Sequence, residues 1–432
     1  MSSKQFLQQV TSYIRSKEAR GHVEQELHQH IGHSTKAWVS KGYSREEAEQ
    51  KAISEMGSAS QLGKSMDKIH RPKWDFWIMG AVILLIATSF VPILTVDVSE
   101  IFGQGMNQYF VQNKIIHIIL AMALIVGLMY VDYRKLQRFT VPIYSLAILL
   151  FAILLLIPNA HLNGEVMFKI GPINIRAWTV LPLLIVAFAG FFADKKWNIW
   201  QLIGLFLLPL YLIMLLPDLA VAMLYIAVVA VLFSFSHFAR KVKGMVFLTA
   251  GGIGLALASY QIYAYHYLLE SYQTARIAAF LNPELYADSY GHVILKIKEV
   301  LAGAGWFGAE TAINFPEAHT DYALIQLIQA YGYVAGIAVI LVILGIALRI
   351  LWHARTMPQS FGKLLVIAAV TLYSVQSLYS ILMVFGFLPL TGVPLPFISY
   401  GMTPLLLNAI LIGLVLSVYR RKSYMIAHKM AS

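Results

Sequence analysis

From residue 74 onward the chain is dominated by apolar runs long enough to cross a bilayer, and this recurrence constrains the fold more than any other feature. Hydrocarbon offers no hydrogen bonds, so a spanning segment must satisfy its backbone groups within a helix or a closed barrel. The runs do not alternate polar and apolar residues as barrel strands do. Each therefore reads as a helix, with spans expected at 74–95, 115–131, 140–158, 177–193, 197–216, 218–236, 244–264, 322–350, 364–388 and 403–419. Hydrophobic residues make up 58% of the chain and charged ones 13%, with a mean hydropathy of +0.66, which no water-facing surface tolerates. The expected architecture is all-α and polytopic, with about ten transmembrane helices and a small soluble helical domain at the N-terminus.

Charge supplies the orientation. Arg134, Lys135 and Arg138, then Lys195 and Lys196, then Arg240, Lys241 and Lys243, then Arg349, Arg355 and Lys363, then Arg420, Arg421 and Lys422 fall in alternate loops. The positive-inside rule makes those loops, and both termini, cytoplasmic. The net charge of +11 is then explained by topology rather than by nucleic acid, which is not expected as a partner. The chain has no cysteine, which excludes disulfides, metal thiolates and a thiol nucleophile. About seventy polar residues precede the first apolar run, so no cleavable signal peptide is expected.

Residues 1–72 carry a helical pattern. Ser44 followed by Glu47 is a capping box, which predicts a helix from about 45 to Met56 that stops at Gly57. The string Gly42-Tyr43-Ser44 with Glu46, Glu47 and Ala48, then Ala52, Met56 and Gly57, resembles the permease-prefix domain found ahead of some bacterial membrane proteins. Such a domain serves folding, docking or sensing. The membrane domain is expected over 73–425. Its outer loops 96–114, 159–176 and 265–321 are long enough to hold something. The third contains Arg276, Phe280, Pro283, Trp306 and Pro316, an ordered composition expected to form short interfacial helices.

Chemistry gathers at the end of that loop, in Phe315-Pro316-Glu317-Ala318-His319-Thr320-Asp321-Tyr322, where two carboxylates and an imidazole meet a membrane edge. Thr320 or Asp321 could simply cap the next helix. The alternative is that Asp321 faces the polar head of an amphiphilic substrate, because an ionisable group there is costly. Asp218 in Pro217-Asp218-Leu219 likewise reads as a helix cap, and Arg276 as a solvated charge, an interface anchor or a phosphate fork. The segment Pro394 to Gly401 can be a rigid turn.

Several of these strings resemble the SEDS family (shape, elongation, division and sporulation), which includes RodA, FtsW and SpoVE. The block around Pro316-Glu317-Ala318-His319-Thr320-Asp321 is similar to that family's Pro-Glu-x-His-Thr-Asp stretch. Thr391-Gly392-Val393-Pro394-Leu395-Pro396-Phe397-Ile398-Ser399-Tyr400-Gly401 resembles the loop before its last helix. Pro217-Asp218-Leu219 looks like its Pro-Asp-Leu, and Tyr272-Gln273, Arg276-Ile277 and Phe280-Leu281-Asn282-Pro283-Glu284 like the opening of its large outer loop. The resemblance runs over roughly 75–425. It implies a peptidoglycan glycosyltransferase in the bacterial plasma membrane that polymerises lipid II, the undecaprenyl-diphosphate-linked disaccharide, on the outer face for cell shape, division or sporulation. It implies Asp321 as catalytic base, with Glu317, His319, Thr320, Arg276, Asp218, Ser399 and Tyr400 about the substrate. The base role asks for a carboxylate pKa raised by burial or by Glu317. A divalent cation, Mg or Mn, can neutralise the leaving diphosphate, and the family's usual partner is a class B penicillin-binding transpeptidase.

The chain departs from the family pattern in places. Arg176-Ala177-Trp178-Thr179-Val180 stands where a Gln-Pro-Ser-Glu block is usual, Gly401-Met402-Thr403-Pro404 where Gly-Gly-Ser-Ser is usual, and Gln329-Ala330 where paired glutamates are usual. The glycine-rich stretch Gly303-Ala304-Gly305-Trp306-Phe307-Gly308 is short and is followed by Glu310 rather than lysine. Two other functions therefore stay open: a lipid-linked precursor transporter, against which the lack of an internal repeat counts, and a catalytically silent scaffold of the cell-wall machinery.

Overall fold

A computed structural model describes all residues except 16, 71–73, 96–105, 163–164, 171–172, 217, 268–277, 290, 310–312, 314–318, 358–360 and 423–432. Its contacts divide into two compact units, Met1–Asp75 with Val418–Ser432, and Phe76–Ser417.

In the first unit four helices, α1 (Ser3–Ser12), α2 (Lys17–Val39), α3 (Arg45–Glu55) and α4 (Ala59–His70), enclose a small core. Val23, Leu27 and Ile31 repeat every fourth residue along α2, so they share one face and meet Phe6, Leu7, Val10 and Ile14. The capping box forms as expected. The Ser44 hydroxyl accepts from the Glu47 amide at 3.3 Å, and the Ser44 amide donates to the Glu47 carboxylate at 3.1 Å. The helix ends at Glu55 with Met56 as its C-cap, and Gly57 takes the left-handed φ of 77° that a C-terminal glycine provides.

The second unit carries the apolar helices. Five segments among the described residues are long and apolar enough to cross a membrane: Phe76–Thr95, Asn107–Tyr130, Ala323–Arg355, Phe361–Val384 and Met402–Arg420. The first is made of α5 (Phe76–Thr88) and α6 (Val91–Thr95), and the second lies within α7 (Met106–Tyr130), which is followed by the short α8 (Arg134–Arg138). Four shorter apolar helices are α9 (Thr140–Leu156), α10 (Ala177–Ala193), α11 (Ile199–Leu215) and α12 (Leu219–Ser234). With α13 (Arg240–Tyr267) they occupy the expected spans in order. α10 is the buried centre, with nearly every side chain from Ala177 to Phe192 inside.

Outer segments hold more structure than apolar periodicity suggests. Three short strands pair antiparallel in the order β1 (Ala160–Leu162), β2 (Glu165–Ile170) and β3 (Ile173–Ile175), with Met167 opposite Ala160 and Phe168 opposite Ile175. The large loop contains a 3₁₀ turn at Pro283–Tyr286 and the helix α14 (Gly291–Gly303), the short helices expected there.

α15 (Ala323–Arg355) is broken. Its 33 residues would reach about 50 Å if straight, well beyond a hydrocarbon core of about 30 Å. Gly332, with φ 81° and ψ 178°, interrupts it. The backbone groups this frees are taken up by the glycine-rich stretch. The Ala309 amide donates to the Gln329 carbonyl at 2.8 Å, while the Tyr333 and Val334 amides donate to Gly305 and Trp306 at 3.1 and 3.2 Å. A side chain at 332 would run into the Trp306 carbonyl. The shortened glycine loop thus splices a helix break, which α16 (Phe361–Val384) and α17 (Met402–Arg420) do not have.

Candidate functional site

The segment between α16 and α17 is held rigidly. Gln376 donates to the Pro394 carbonyl at 2.8 Å, Tyr379 to the Pro389 carbonyl at 3.1 Å, and the Leu395 amide to the buried Ser399 hydroxyl at 2.9 Å. These bonds hold Phe397 at φ 63°, the one non-glycine residue with positive φ among the described residues. Such a conformation costs of order 1–3 kcal/mol and persists where the surroundings over-determine it.

His319, Thr320 and Asp321 sit in the turn leading into α15, and the structure joins them to this rigid segment. The Tyr400 amide donates to the His319 carbonyl at 3.0 Å, and the two rings lie 5.7 Å apart. Phe110 of α7 packs edge-on against both, 5.1 Å from His319 and 5.0 Å from Tyr400. Thus His319, Tyr400 and Phe110, far apart in sequence, form one cluster, with Thr320 and Asp321 following His319 in the turn and Ser399 preceding Tyr400. Asp321, two residues after His319, is half-buried. Burial holds His319 below its ordinary value of 6.5, so the ring is the neutral imidazole near pH 7. Burial, then the neighbouring Tyr109, push Tyr400 up to about 12 against an opposing hydrogen bond from Asn113, so its hydroxyl stays protonated and can donate.

Helix capping does not account for this turn in the expected way. The N-cap position of α15 is Tyr322, with no side-chain capping bond, rather than Thr320 or Asp321. Asp218 is the opposite case. Its carboxylate accepts from the Val221 amide at 3.0 Å as the N-cap of α12, close enough to Arg176 to feel that guanidinium's charge. Arg176 itself opens α10, and a neighbouring bond from Thr403 to the Asn174 carbonyl, 3.3 Å, ties the start of α17 to the end of β3. Glu317 and Arg276 lie outside the described residues.

Two residues of the cluster escape a reading of the sequence by contiguous strings. Lys114 of α7 is fully buried and donates from Nζ to the Ser399 carbonyl at 3.2 Å. His117, one turn on, lies 5.9 Å from the Tyr400 ring. The span expected to begin at 115 leaves Lys114 in a loop, whereas α7 begins at Met106 and carries it into the helix. A lysine inside an apolar segment is the signal that could have found it. Among the described residues no group of three or more His, Asp or Glu is placed to hold a metal.

The family model described as "Cell cycle protein", covering FtsW, RodA and SpoVE, matches residues 75–424. The chain belongs to the FtsW/RodA/SpoVE family. A probable peptidoglycan glycosyltransferase FtsW from Trichlorobacter lovleyi is 24% identical over 370 residues, 80% of this chain and 93% of that protein. The probable FtsW of Bacillus subtilis is 26% identical over 355 residues, 77% of this chain and 87% of its own. A solved chain from a study of the structural coordination of polymerization and crosslinking by a peptidoglycan synthase complex shares the fold, with a TM-score of 0.67 at 22% identity over 81% of this chain and 98% of that one. The match begins at residue 75, so residues before it stand outside the family domain.

Proposed function

We propose that this chain is a peptidoglycan glycosyltransferase of the bacterial membrane that polymerises lipid II into glycan strands. The observation that carries the reading is the joining of the two motif blocks, with the Tyr400 amide bonded to the His319 carbonyl and Asp321, two residues on, half-buried. The chemistry asks for little more than a base and an electrostatic partner for the leaving group. The acceptor sugar 4-hydroxyl attacks the donor's anomeric carbon. The bond from that carbon to the lipid diphosphate breaks, its electron pair leaves with the diphosphate, and the hydroxyl proton passes to the Asp321 carboxylate. Neutral His319 and protonated Tyr400 supply hydrogen-bonding groups for the sugar or the peptide-bearing head. Ser399 spends its hydroxyl on the Leu395 amide and so shapes the segment. Glu317, Thr320 and Arg276 belong to the same substrate surface in this reading, with Arg276 on phosphate. Asp218, committed to capping α12, acts by fixing the helix rather than by touching substrate.

We further assign the reaction to the outer face, with both termini cytoplasmic, a divalent cation travelling on the diphosphate, and a class B penicillin-binding transpeptidase as the crosslinking partner. The solved relative described through polymerization and crosslinking in a synthase complex supports that partner. A silent scaffold is the second reading, favoured by Arg176-Ala177-Trp178-Thr179 in place of the usual acidic block. The test is polymerisation of labelled lipid II by the purified full chain, with Mg or Mn, alone and with a candidate transpeptidase. Glycan ladders are expected. Their absence under every condition, from well-folded protein, would give the scaffold reading the lead.

A further inference from the structure

Lys114 is the charge in the cluster whose presence the fold alone does not explain. Its side chain is fully buried, and a buried ammonium forfeits hydration that only an anion or several good acceptors can replace. Among the described residues Nζ has one acceptor, the Ser399 carbonyl at 3.2 Å, and the face of the Tyr400 ring at 6.0 Å. It takes part in no ion pair among the described residues. An ammonium carries three donors, so its capacity is largely unspent. One turn along the same face, His117 buries an Nδ1 that has no partner. Phe110, Lys114 and His117 thus form a stripe of α7 that is polar where it meets Ser399 and Tyr400, and Tyr400 is bonded in turn to His319, two residues from Asp321.

We propose that Lys114 is the binding residue for the anionic leaving group, a diphosphate ester of a polyprenol. The proposal rests on the glycosyltransferase reading and deepens it. As the bond between the anomeric carbon and oxygen breaks, the departing diphosphate gains negative charge on its bridging oxygen, and the ammonium donates a hydrogen bond to it without giving up a proton. Lysine suits this task because its four-carbon stem lets Nζ exchange a neutral carbonyl for a charged oxygen, the stronger of the two acceptors. Without the ligand the Ser399 carbonyl holds the ammonium, and on the arrival of diphosphate the bond is exchanged. Among the described residues no carboxylate pairs with Nζ and competes with the diphosphate for it.

The full-length chain is tested for binding of undecaprenyl diphosphate and, as the uncharged control, undecaprenol. Lys114→Gln keeps a donor for the Ser399 carbonyl and removes the charge, while Lys114→Arg keeps the charge. Losing a charge-assisted bond predicts that Lys114→Gln weakens diphosphate binding by about 10-fold or more. Undecaprenol binding and the unfolding temperature should stay where they are in wild type, and Lys114→Arg should recover most of the lost affinity. Wild-type affinity for the diphosphate in Lys114→Gln, or an equal loss for both lipids, would overturn the assignment. A measurement on the unaltered protein decides the matter should the Gln variant not fold. Inorganic pyrophosphate is expected to displace undecaprenyl diphosphate, and failure to do so would also overturn it. If wild type polymerises lipid II while Lys114→Gln binds diphosphate normally, only Lys114 is reassigned. If wild type makes no glycan yet Lys114 discriminates the two lipids, the anion site stands and the transferase reading falls.

Discussion

Replacing one carboxylate oxygen of Asp321 by an amide nitrogen separates chemistry from architecture. The N-cap position of α15 is Tyr322, which makes no side-chain capping bond. Asn also matches Asp in size and in capping ability wherever the side chain meets backbone amides. Asp321→Asn should therefore unfold within a few degrees of wild type, while glycan synthesis per folded molecule falls by roughly 10²–10⁴, as expected for losing a general base. A stable Asn variant that polymerises at the wild-type rate would remove Asp321 from the mechanism. The His319–Asp321 and Ser399–Tyr400 pairs were legible in the sequence because each lies in a contiguous string of chemistry-bearing residues. Lys114 was not, because its place in the site depends on a hydrogen bond across 285 positions of chain. Arg176 shows the limit from the other side, since its neighbour Asp218 could be recognised as a cap but the closeness of the two charges could not.

At the scale of elements, the spliced break in α15 makes the most specific claim. Gly332 holds a φ that favours glycine, and a Cβ there would strike the Trp306 carbonyl, a backbone atom that cannot rotate away. Gly332→Ala should destabilise the protein by about 2–5 kcal/mol, the sum of backbone strain and an overpacked contact. Thermal unfolding in detergent measures this. Gly127→Ala in α7 is the control, because a side chain there meets open space and should change the unfolding temperature little. Equal effects of the two substitutions would mean that the splice does not form in solution. Sequence periodicity placed each long helix because an apolar run of sufficient length has one stable form in lipid. It also placed α3, because Ser44 and Glu47 write their hydrogen bonds into local spacing. The break at Gly332 lay hidden, since a lone glycine in an apolar run is tolerated in a straight helix too and only the distant glycine loop selects the kink. The three paired strands β1 to β3 lay hidden for a similar reason, being too short for a period of two to stand out.

At the scale of the whole molecule, the orientation in the membrane is what gives the site access to its substrate. Lipid II presents its sugars on the outer face, so the turn at 319–321 and the segment 391–401 must lie there if the proposed reaction is right. Basic residues in alternate loops predict that arrangement, with residues 1–72 and 420–432 in the cytoplasm. The cysteine-free chain offers a direct test, because every introduced thiol is the sole target of a thiol reagent. Ser289, between the 3₁₀ turn and α14, and Ser65, in α4, are both exposed within their own units. In intact cells a membrane-impermeant maleimide should label Ser289→Cys and spare Ser65→Cys, and both should react once the membrane is opened. Labelling of Ser65→Cys alone would invert the topology, carry Asp321 to the cytoplasmic side and leave the proposed polymerase without its donor. Labelling of both in intact cells would place the α1–α4 unit outside, against the charge pattern. The polar α1–α4 unit has its own core around Val10 and Val23 and lies ahead of the matched family domain. Deleting residues 1–72 should therefore leave glycan synthesis in detergent intact. A stable truncated protein that makes no glycan would show instead that the N-terminal unit is part of the enzyme.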